Sequence, residues 1–254
     1  MKLITHLQQG KLLFLQDQGF RLTIEENQHF RWMSFNGVPQ SVMHLRQPHW
    51  LTLPHHFFLI LPLAFITPNR VVEVGLGGGN LSRYLCTTLP EVILTSFESA
   101  PSVIDCFTRF FSPIPLLNHR VILQNTSTEL FNITRDIDWF IYDVFSTTDN
   151  NGIELKTVTS LLNKIENNAW LTLNLPNLSP NKLDLVLRQL QKHLGQNCMY
   201  YFFVPYYKNI IVHIGPATNT KQASVLPRRT SNRLHNLWQH ACLDRQLKSD
   251  RTIV

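Results

Sequence analysis

A glycine-rich stretch is the strongest chemical signal in this sequence. It reads Val-Val-Glu-Val-Gly-Leu-Gly-Gly-Gly-Asn-Leu from Val71, and Glu98 follows Gly79 by 19 residues. Glycines let a ligand approach the backbone, and a helix that begins behind them offers free N–H groups. An acidic residue at this distance holds ribose hydroxyls in nucleotide-binding folds. The pattern predicts a nucleoside site at Gly75, Gly77, Gly79 and Glu98; the alternatives are a tight turn and a solvated helix cap.

Asp143 is the second acidic residue placed to do chemistry. It ends the apolar segment Trp-Phe-Ile-Tyr, and Val-Phe-Ser follows it. A carboxylate at the C-terminal end of a central strand lies over the crevice where open α/β sheets bind ligands. We therefore expect Asp143 to face the same ligand as the glycine-rich stretch.

The elements that must position these residues alternate between strand and helix. The sequence predicts strands at 71–74, 92–97, 121–124, 139–142 and 170–174, and helices at 80–87, 101–111, 155–166 and 180–194. This alternation indicates a parallel sheet covered by helices. Two apolar segments at 199–204 and 209–214 are separated by a hairpin-length connection, which makes them antiparallel. The expected α/β fold is a Rossmann-like class I methyltransferase sheet, parallel with a C-terminal antiparallel hairpin.

The two ends of the chain lack the strand–helix alternation of the central region. Three short strands at 11–16, 20–26 and 30–45, the last broken by Asn36-Gly37, predict a small N-terminal antiparallel β domain. We expect this domain at 1–54, a Rossmann-like nucleoside-binding domain at 55–215, and a basic tail at 216–254 with a short helix at 231–247. The tail holds seven Lys or Arg and two Asp, so most of the net charge of +6 lies there.

Composition excludes several classes of protein. Hydrophobic residues form 44% of the 254 residues and charged residues 16%, which excludes disorder over most of the chain. The longest apolar run, 57–66, is too short for the ~20 residues of a membrane span, and no secretion signal is evident, so a cytoplasmic location is expected. The basic tail reads as a solvated surface, so nucleic acid is not expected as a partner.

Neither the cysteines nor the histidines form a metal motif. The four cysteines lie far apart without a C-x-x-C pair, so buried thiols are expected rather than a zinc site or disulfides. His44, His49, His55 and His56 cluster in sequence, but their spacing fits no helical metal pair. The prediction is therefore that no metal binds, and that these histidines line a cleft.

The order of the motifs resembles the spermidine synthase-like family of aminopropyltransferases over about residues 11–215. The matching stretches are Gly37-Val38-Pro39-Gln40, Pro54-His55-His56 before Leu61-Pro62-Leu63, the glycine loop, Glu98 and Asp143. The family adds an aminopropyl group from decarboxylated S-adenosylmethionine to a polyamine. The resemblance implies that Gln40 and His55 face the donor or acceptor channel, Glu98 the ribose and Asp143 the amines. It also implies that the protein acts as a homodimer.

Three positions depart from the family pattern. Gly77 stands where the family has an aspartate at the donor amine, Ser146 where a second aspartate assists deprotonation, and Thr126 near an aspartate that meets the adenine. A site for two cations needs fixed carboxylates, because an unpaired buried cation is costly. S-adenosylmethionine keeps a carboxylate that Gly77 would admit. Glu73 matches the acidic position that begins the methyltransferase glycine motif, or else is a strand-edge carboxylate in solvent.

These observations leave three functions open. The first is an aminopropyltransferase-like enzyme with weak or absent activity on putrescine, in which Asp143 orients the amine, a water or His55 takes its proton, and Ser146 replaces the usual base. The second is a methyltransferase that uses S-adenosylmethionine. The third is a catalytically silent nucleoside-binding or assembly protein. In all three, an S-adenosyl donor or a fragment of it binds Gly75, Gly77, Gly79, Glu98, Glu73 and Thr126.

Overall fold

Two β-sheets organise the chain. The structure, a computed structural model, describes Leu3, Leu7 and residues 9–124, 136–144, 155–166, 168–217 and 226–249. The N-terminal sheet is antiparallel and contains β1 (Lys11–Gln18), β2 (Phe20–Glu26), β3 (Phe30–Phe35) and β4 (Val38–His44), in that order. The prediction of three strands was wrong, because Asn36 and Gly37 both adopt positive φ and form the tight turn of a hairpin between β3 and β4.

The second sheet has seven strands in the order β10-β11-β9-β8-β5-β6-β7. Its strands are β5 (Arg70–Val74), β6 (Ile93–Glu98), β7 (His119–Leu123), β8 (Trp139–Tyr142), β9 (Trp170–Leu175), β10 (Cys198–Phe203) and β11 (Ile210–Gly215). Strands β5 to β9 are parallel, whereas β11 is antiparallel to both β9 and β10. The predicted parallel sheet with an antiparallel hairpin is confirmed. Since β5 lies between β6 and β8, the strand order reverses there, which is where such sheets bind ligands.

Six α-helices accompany the strands in the part of the chain that the structure describes. They are α1 (Pro54–Leu59), α2 (Asn80–Thr88), α3 (Pro101–Cys106), α4 (Leu155–Leu162), α5 (Pro180–Gln191) and α6 (Arg228–Ser249). A 3-10 turn, Leu61–Ala64, follows α1, and a π-helical turn, Phe107–Phe111, continues α3. Proline opens α1, α3 and α5, where its missing N–H costs nothing.

The apolar side chains of the large sheet alternate between its two faces. Val72, Phe140 and their neighbours pack against α4 and α5, whereas Val71 and Trp139 pack on the face that α1, α2 and α6 cover. A third cluster joins the two sheets, because Met33 and other residues of the N-terminal sheet pack against the loop after β5 and against the π-helical turn. The N-terminal sheet is therefore fixed directly against the predicted nucleoside site.

The C-terminal helix differs from its prediction. α6 is longer than the short helix expected, and Leu234 and Trp238 are buried against the body of the protein. The Trp238 ring lies 4.8 Å from the Phe65 ring and 4.6 Å from the Tyr200 ring. The segment therefore docks through one apolar face, and the expectation of a solvated tail fails for this part. Among the described residues, no helix combines the length and apolar character needed to cross a membrane.

Candidate functional site

The glycine loop connects β5 to α2 by a sharp turn. Gly75, Gly77 and Gly79 have φ angles of 96°, 51° and 65°. A Cβ atom on Gly75 would lie 2.3 Å from the carbonyl oxygen of Asp143, and one on Gly79 would lie 2.3 Å from the Phe107 ring. Side chains at these two positions are excluded by both conformation and space. The loop is thus a tight turn, and its close packing brings the backbone of Asp143 against Gly75.

Glu98 ends β6 and turns back to the glycine loop. Its Oε1 accepts hydrogen bonds from the backbone N–H groups of Ser99 and Ala100 at 2.9 and 3.0 Å. Its Oε2 accepts longer ones from Leu76 and Gly77 at 3.2 and 3.4 Å. The structure therefore places Glu98 against the glycine loop, with the weaker hydrogen bonds at Oε2, whereas its contact with a ribose stays a prediction.

The N-terminal sheet supports the loop through side chains that the sequence did not indicate. Ser41 of β4 accepts a 2.8 Å hydrogen bond from the Gly78 N–H, and the Asn80 amide donates to the carbonyl oxygen of Val42 at 2.7 Å. Gln40, which was predicted to bind substrate, is the neighbour of Ser41 and donates to the carbonyl oxygen of Val38. Its role toward a substrate stays a prediction.

Arg83 also holds the glycine loop in place. This arginine of α2 is completely buried and donates to the carbonyl oxygens of Gly78, Pro48 and Phe111, the last two at 2.8 Å. Burial lowers its pKa to about 9, so the side chain stays charged at neutral pH. A single arginine on an amphipathic helix gives no sequence signal of such a role.

Glu73 lies beneath the loop and not in solvent. It is 2% exposed, and its Oε2 accepts hydrogen bonds from Ser82 at 2.6 Å and Ser96 at 2.5 Å. Ser96 also lies 2.8 Å from Nε2 of His119. Burial raises the pKa of Glu73 to about 7 despite these hydroxyl donors. The solvent-exposed alternative for Glu73 is therefore wrong, whereas its contact with a donor stays a prediction.

Asp143 directly follows β8 at the same edge of the sheet. Its Oδ1 accepts a 2.7 Å hydrogen bond from the side-chain amide nitrogen of Asn174, and the side-chain Oδ1 of Asn174 in turn accepts one from Asn209 at 2.9 Å. Burial raises the pKa of Asp143, while His55 and the Asn174 amide oppose this shift. The two asparagines come from distant parts of the chain, so the sequence could not indicate them.

Two consecutive histidines in α1 face Asp143. One nitrogen from each ring of His55 and His56 and one Asp143 carboxylate oxygen all lie within 4.8 Å of one another. Among the described residues, the buried Nδ1 atoms of both rings have no hydrogen-bond partner. Burial is the main cause that lowers the pKa of both imidazoles, most strongly for His56. The structure thus brings His55 and Asp143 together as predicted and adds His56, while Thr126 and Ser146 lie outside the described residues.

The comparisons with known proteins concern the fold. The sequence matches no protein-family model and no curated protein. A probable spermidine synthase from Corynebacterium glutamicum is similar in structure, with a TM-score of 0.65 at 15% identity over 88% of this chain and 85% of that chain. Spermidine synthase from Thermotoga maritima gives a TM-score of 0.62 at 13% identity, over 91% and 84%.

A methyltransferase-like protein is also similar. Human methyltransferase-like protein 13, solved in complex with SAH, gives a TM-score of 0.59 at 20% identity over 74% of this chain and 93% of that chain. The chain therefore has the class I methyltransferase-like α/β fold that the sequence predicted. Within that fold, the spermidine synthases are similar over most of the chain.

Proposed function

We propose that this protein is a transferase that binds an S-adenosyl donor and acts on a small amine acceptor. The observation that carries the proposal is that the glycine loop, Glu98 and Asp143 meet at one edge of the sheet, with Gly75 packed on the Asp143 backbone. The edge is the switch point between β6, β5 and β8. Structural neighbours in complex with SAH and with the transition-state analogue AdoDATO support this assignment.

Each residue has a defined task in this proposal. Glu98 exchanges its long Oε2 bonds to the loop for the ribose hydroxyls. Asp143 orients the acceptor amine, and His55 or a water takes the proton, while Ser146 stands at the position of the usual base. Holding the acceptor against the electrophilic carbon of the donor supplies most of the acceleration, because orientation replaces a bimolecular encounter. Spermidine synthase-like transfer to putrescine is accordingly expected to be slow or absent.

Methyl transfer from intact S-adenosylmethionine is the second candidate. It is favoured by Gly77, which brings no side-chain carboxylate against the amino-acid end of the donor. Turnover assays with each donor distinguish the two reactions, and donor binding without turnover would indicate a silent binding protein. General-base assistance is worth about 10²–10⁴-fold, so a putrescine rate equal to that of an ordinary synthase would contradict the reduced role of Ser146.

Calorimetric titration with methylthioadenosine, the portion common to both donors, tests the binding site itself. We expect saturable binding that Glu98→Gln weakens by about 1–3 kcal/mol, which is roughly fivefold to a hundredfold, because an amide replaces the ribose-binding carboxylate. Glu91→Gln, at an exposed position, is the matched control and should leave the affinity unchanged. Equal affinities for wild type and Glu98→Gln would remove Glu98 from the site.

Two wider expectations accompany this proposal. A homodimer is predicted, and sedimentation of the purified protein measures it. The cytoplasmic location is likewise a prediction, which cell fractionation measures.

A further inference from the structure

Three side chains with metal-binding chemistry converge beside the glycine loop. α1 presents His55 and His56, and the end of β8 presents Asp143, with one potential ligand atom from each within 4.8 Å of the others. We propose that these three side chains form a binding site for a divalent transition-metal ion such as Zn²⁺. This inference uses two residues of the proposed function but does not depend on donor binding, and it opposes the expectation from histidine spacing.

The histidine nitrogens provide the first argument. Nδ1 of His55 and Nδ1 of His56 are buried, and neither has a hydrogen-bond partner in the part of the chain that the structure describes; His56 is 4% exposed. Buried polar atoms are nearly always hydrogen-bonded in folded proteins, so two unpaired ring nitrogens in adjacent residues require an explanation. Imidazole nitrogens are common ligands of divalent transition-metal ions, and an ion would give each of these two nitrogens a partner.

The carboxylate provides the second argument. Two histidines and one carboxylate are an established ligand set for zinc and related ions, with at least one position left for water or an acceptor group. Asp143 is also held by the chain of amides from Asn174 and Asn209, as carboxylates that ligate metals commonly are. The amides therefore fix one oxygen of Asp143 while the histidines face the carboxylate.

Distance and charge are compatible with an ion. Ligands bonded at about 2.1 Å stand roughly 3.3–4.2 Å apart, so atoms within 4.8 Å of one another close on an ion by small side-chain rotations. Arg83 contributes a positive charge that reaches His56. The Asp143 carboxylate supplies the opposite charge within the set, because one of its oxygens lies within 4.8 Å of a nitrogen of each ring, and so the set retains its preference for a cation.

Titration of chelator-treated protein with Zn²⁺ and with Co²⁺ tests the site. We expect one saturable site with a dissociation constant in the micromolar range or below, and at least about a tenfold loss of affinity in His56→Asn. His29→Asn, at an exposed histidine of the N-terminal sheet, is the matched control and should bind as wild type does. No saturable binding, or equal affinity in wild type and His56→Asn, would overturn the proposal.

X-ray absorption at the zinc edge of the wild-type protein keeps the test independent of whether a variant folds. We expect two imidazole ligands with oxygen ligands completing the shell, and a shell without imidazole would overturn the site. Methylthioadenosine titration of His56→Asn separates this inference from the proposed function. The proposed function gives His56 no part in donor binding. Donor affinity should therefore persist when metal affinity is lost.

Discussion

The two halves of the candidate site satisfy their polar groups in opposite ways. On the glycine-loop side, the Glu98 carboxylate already receives four backbone N–H groups, and the Gly78 N–H already has Ser41 as its acceptor. On the histidine side, no described residue forms a hydrogen bond with the buried Nδ1 atoms of His55 and His56. Both halves lie at the same edge of the sheet and are joined by the packing of Gly75 on Asp143.

This difference indicates where each half can gain binding energy. A ligand at the loop exchanges existing hydrogen bonds for new ones, so its net gain comes from shape and from replacing the long bonds to Glu98. A ligand at the histidines supplies partners to atoms that lack them, which is worth more per contact. The hydrogen bonds of the loop half are therefore formed before a ligand binds, whereas the histidine half has buried nitrogens that can still gain a partner.

The largest effect is expected where the two halves touch. Gly75→Ala should reduce the free energy of unfolding by about 3–5 kcal/mol, because its Cβ meets the Asp143 carbonyl oxygen and its φ is positive. Gly19→Ala is the matched control, since Gly19 also has positive φ but has nothing within 4 Å of an added Cβ. That control should cost about 1–2 kcal/mol in urea unfolding. Equal losses would mean that the contact with Asp143 carries no weight.

Local patterns made most of the fold predictable. The alternation of apolar strands and helices, with a glycine-rich turn behind the first of these strands, indicated the parallel sheet, and the short connection after β10 indicated the hairpin. α1 and the 3-10 turn behind it were missed. That segment contains Pro54 and Pro62 and is apolar on nearly every side, so it has no helical periodicity to detect.

The site was predictable only where a motif is continuous in sequence. Glu98 ends a strand, and the glycine loop and Asp143 directly follow one, so their positions at the edge of the sheet could be inferred from strand order. Arg83, His56 and Asn174 could not, because their roles arise from contacts with residues far away in the chain. Long-range packing, which no local pattern encodes, decides the histidine half.

A second prediction concerns the support beneath the loop. The raised pKa of Glu73, about 7 against an ordinary 4.5, means that the folded protein holds a proton that the unfolded chain releases between these values. Wild-type stability relative to Glu73→Gln should therefore fall by about 2–3 kcal/mol from pH 5 to pH 8. The measurement is urea unfolding of both proteins at each pH.

The comparison with the variant isolates Glu73 from other titrating groups. His119, whose pKa burial lowers to about 4, changes stability in the opposite sense, but it is present in both proteins. Glu91→Gln, an exposed control, should follow the wild type at every pH. A constant difference between wild type and Glu73→Gln across the range would show that Glu73 titrates normally.

A third prediction separates charge from conformation at the donor end of the loop. Gly77 has a φ of 51°, and an added Cβ would lie 3.0 Å from Oγ of Ser41, so any side chain there carries a structural cost. Gly77→Asp and Gly77→Asn share that cost, since both residues tolerate the left-handed region, and they differ only in charge. We expect Asp, relative to Asn, to shift preference from S-adenosylmethionine to its decarboxylated form by about tenfold to a hundredfold. Equal donor ratios in the two variants would leave Gly77 a turn residue only.

The smallest effect is expected from the amide chain behind Asp143. Asn209 donates to the side-chain oxygen Oδ1 of Asn174, which keeps the side-chain nitrogen of Asn174 directed at Asp143. Asn209→Asp keeps the shape but removes this donor, so the Asn174 amide should rotate and present its oxygen to Asp143 instead. Zn²⁺ affinity should then fall by about threefold to tenfold, and by less in Asn209→Ala, because without a carboxylate at position 209 the Asn174 amide can still direct its N–H at Asp143. Methylthioadenosine affinity should stay unchanged in both variants, because the glycine loop is held by Ser41, Arg83 and Glu98 and not by the two asparagines. A parallel loss of both affinities would show that the two halves of the site do not act independently.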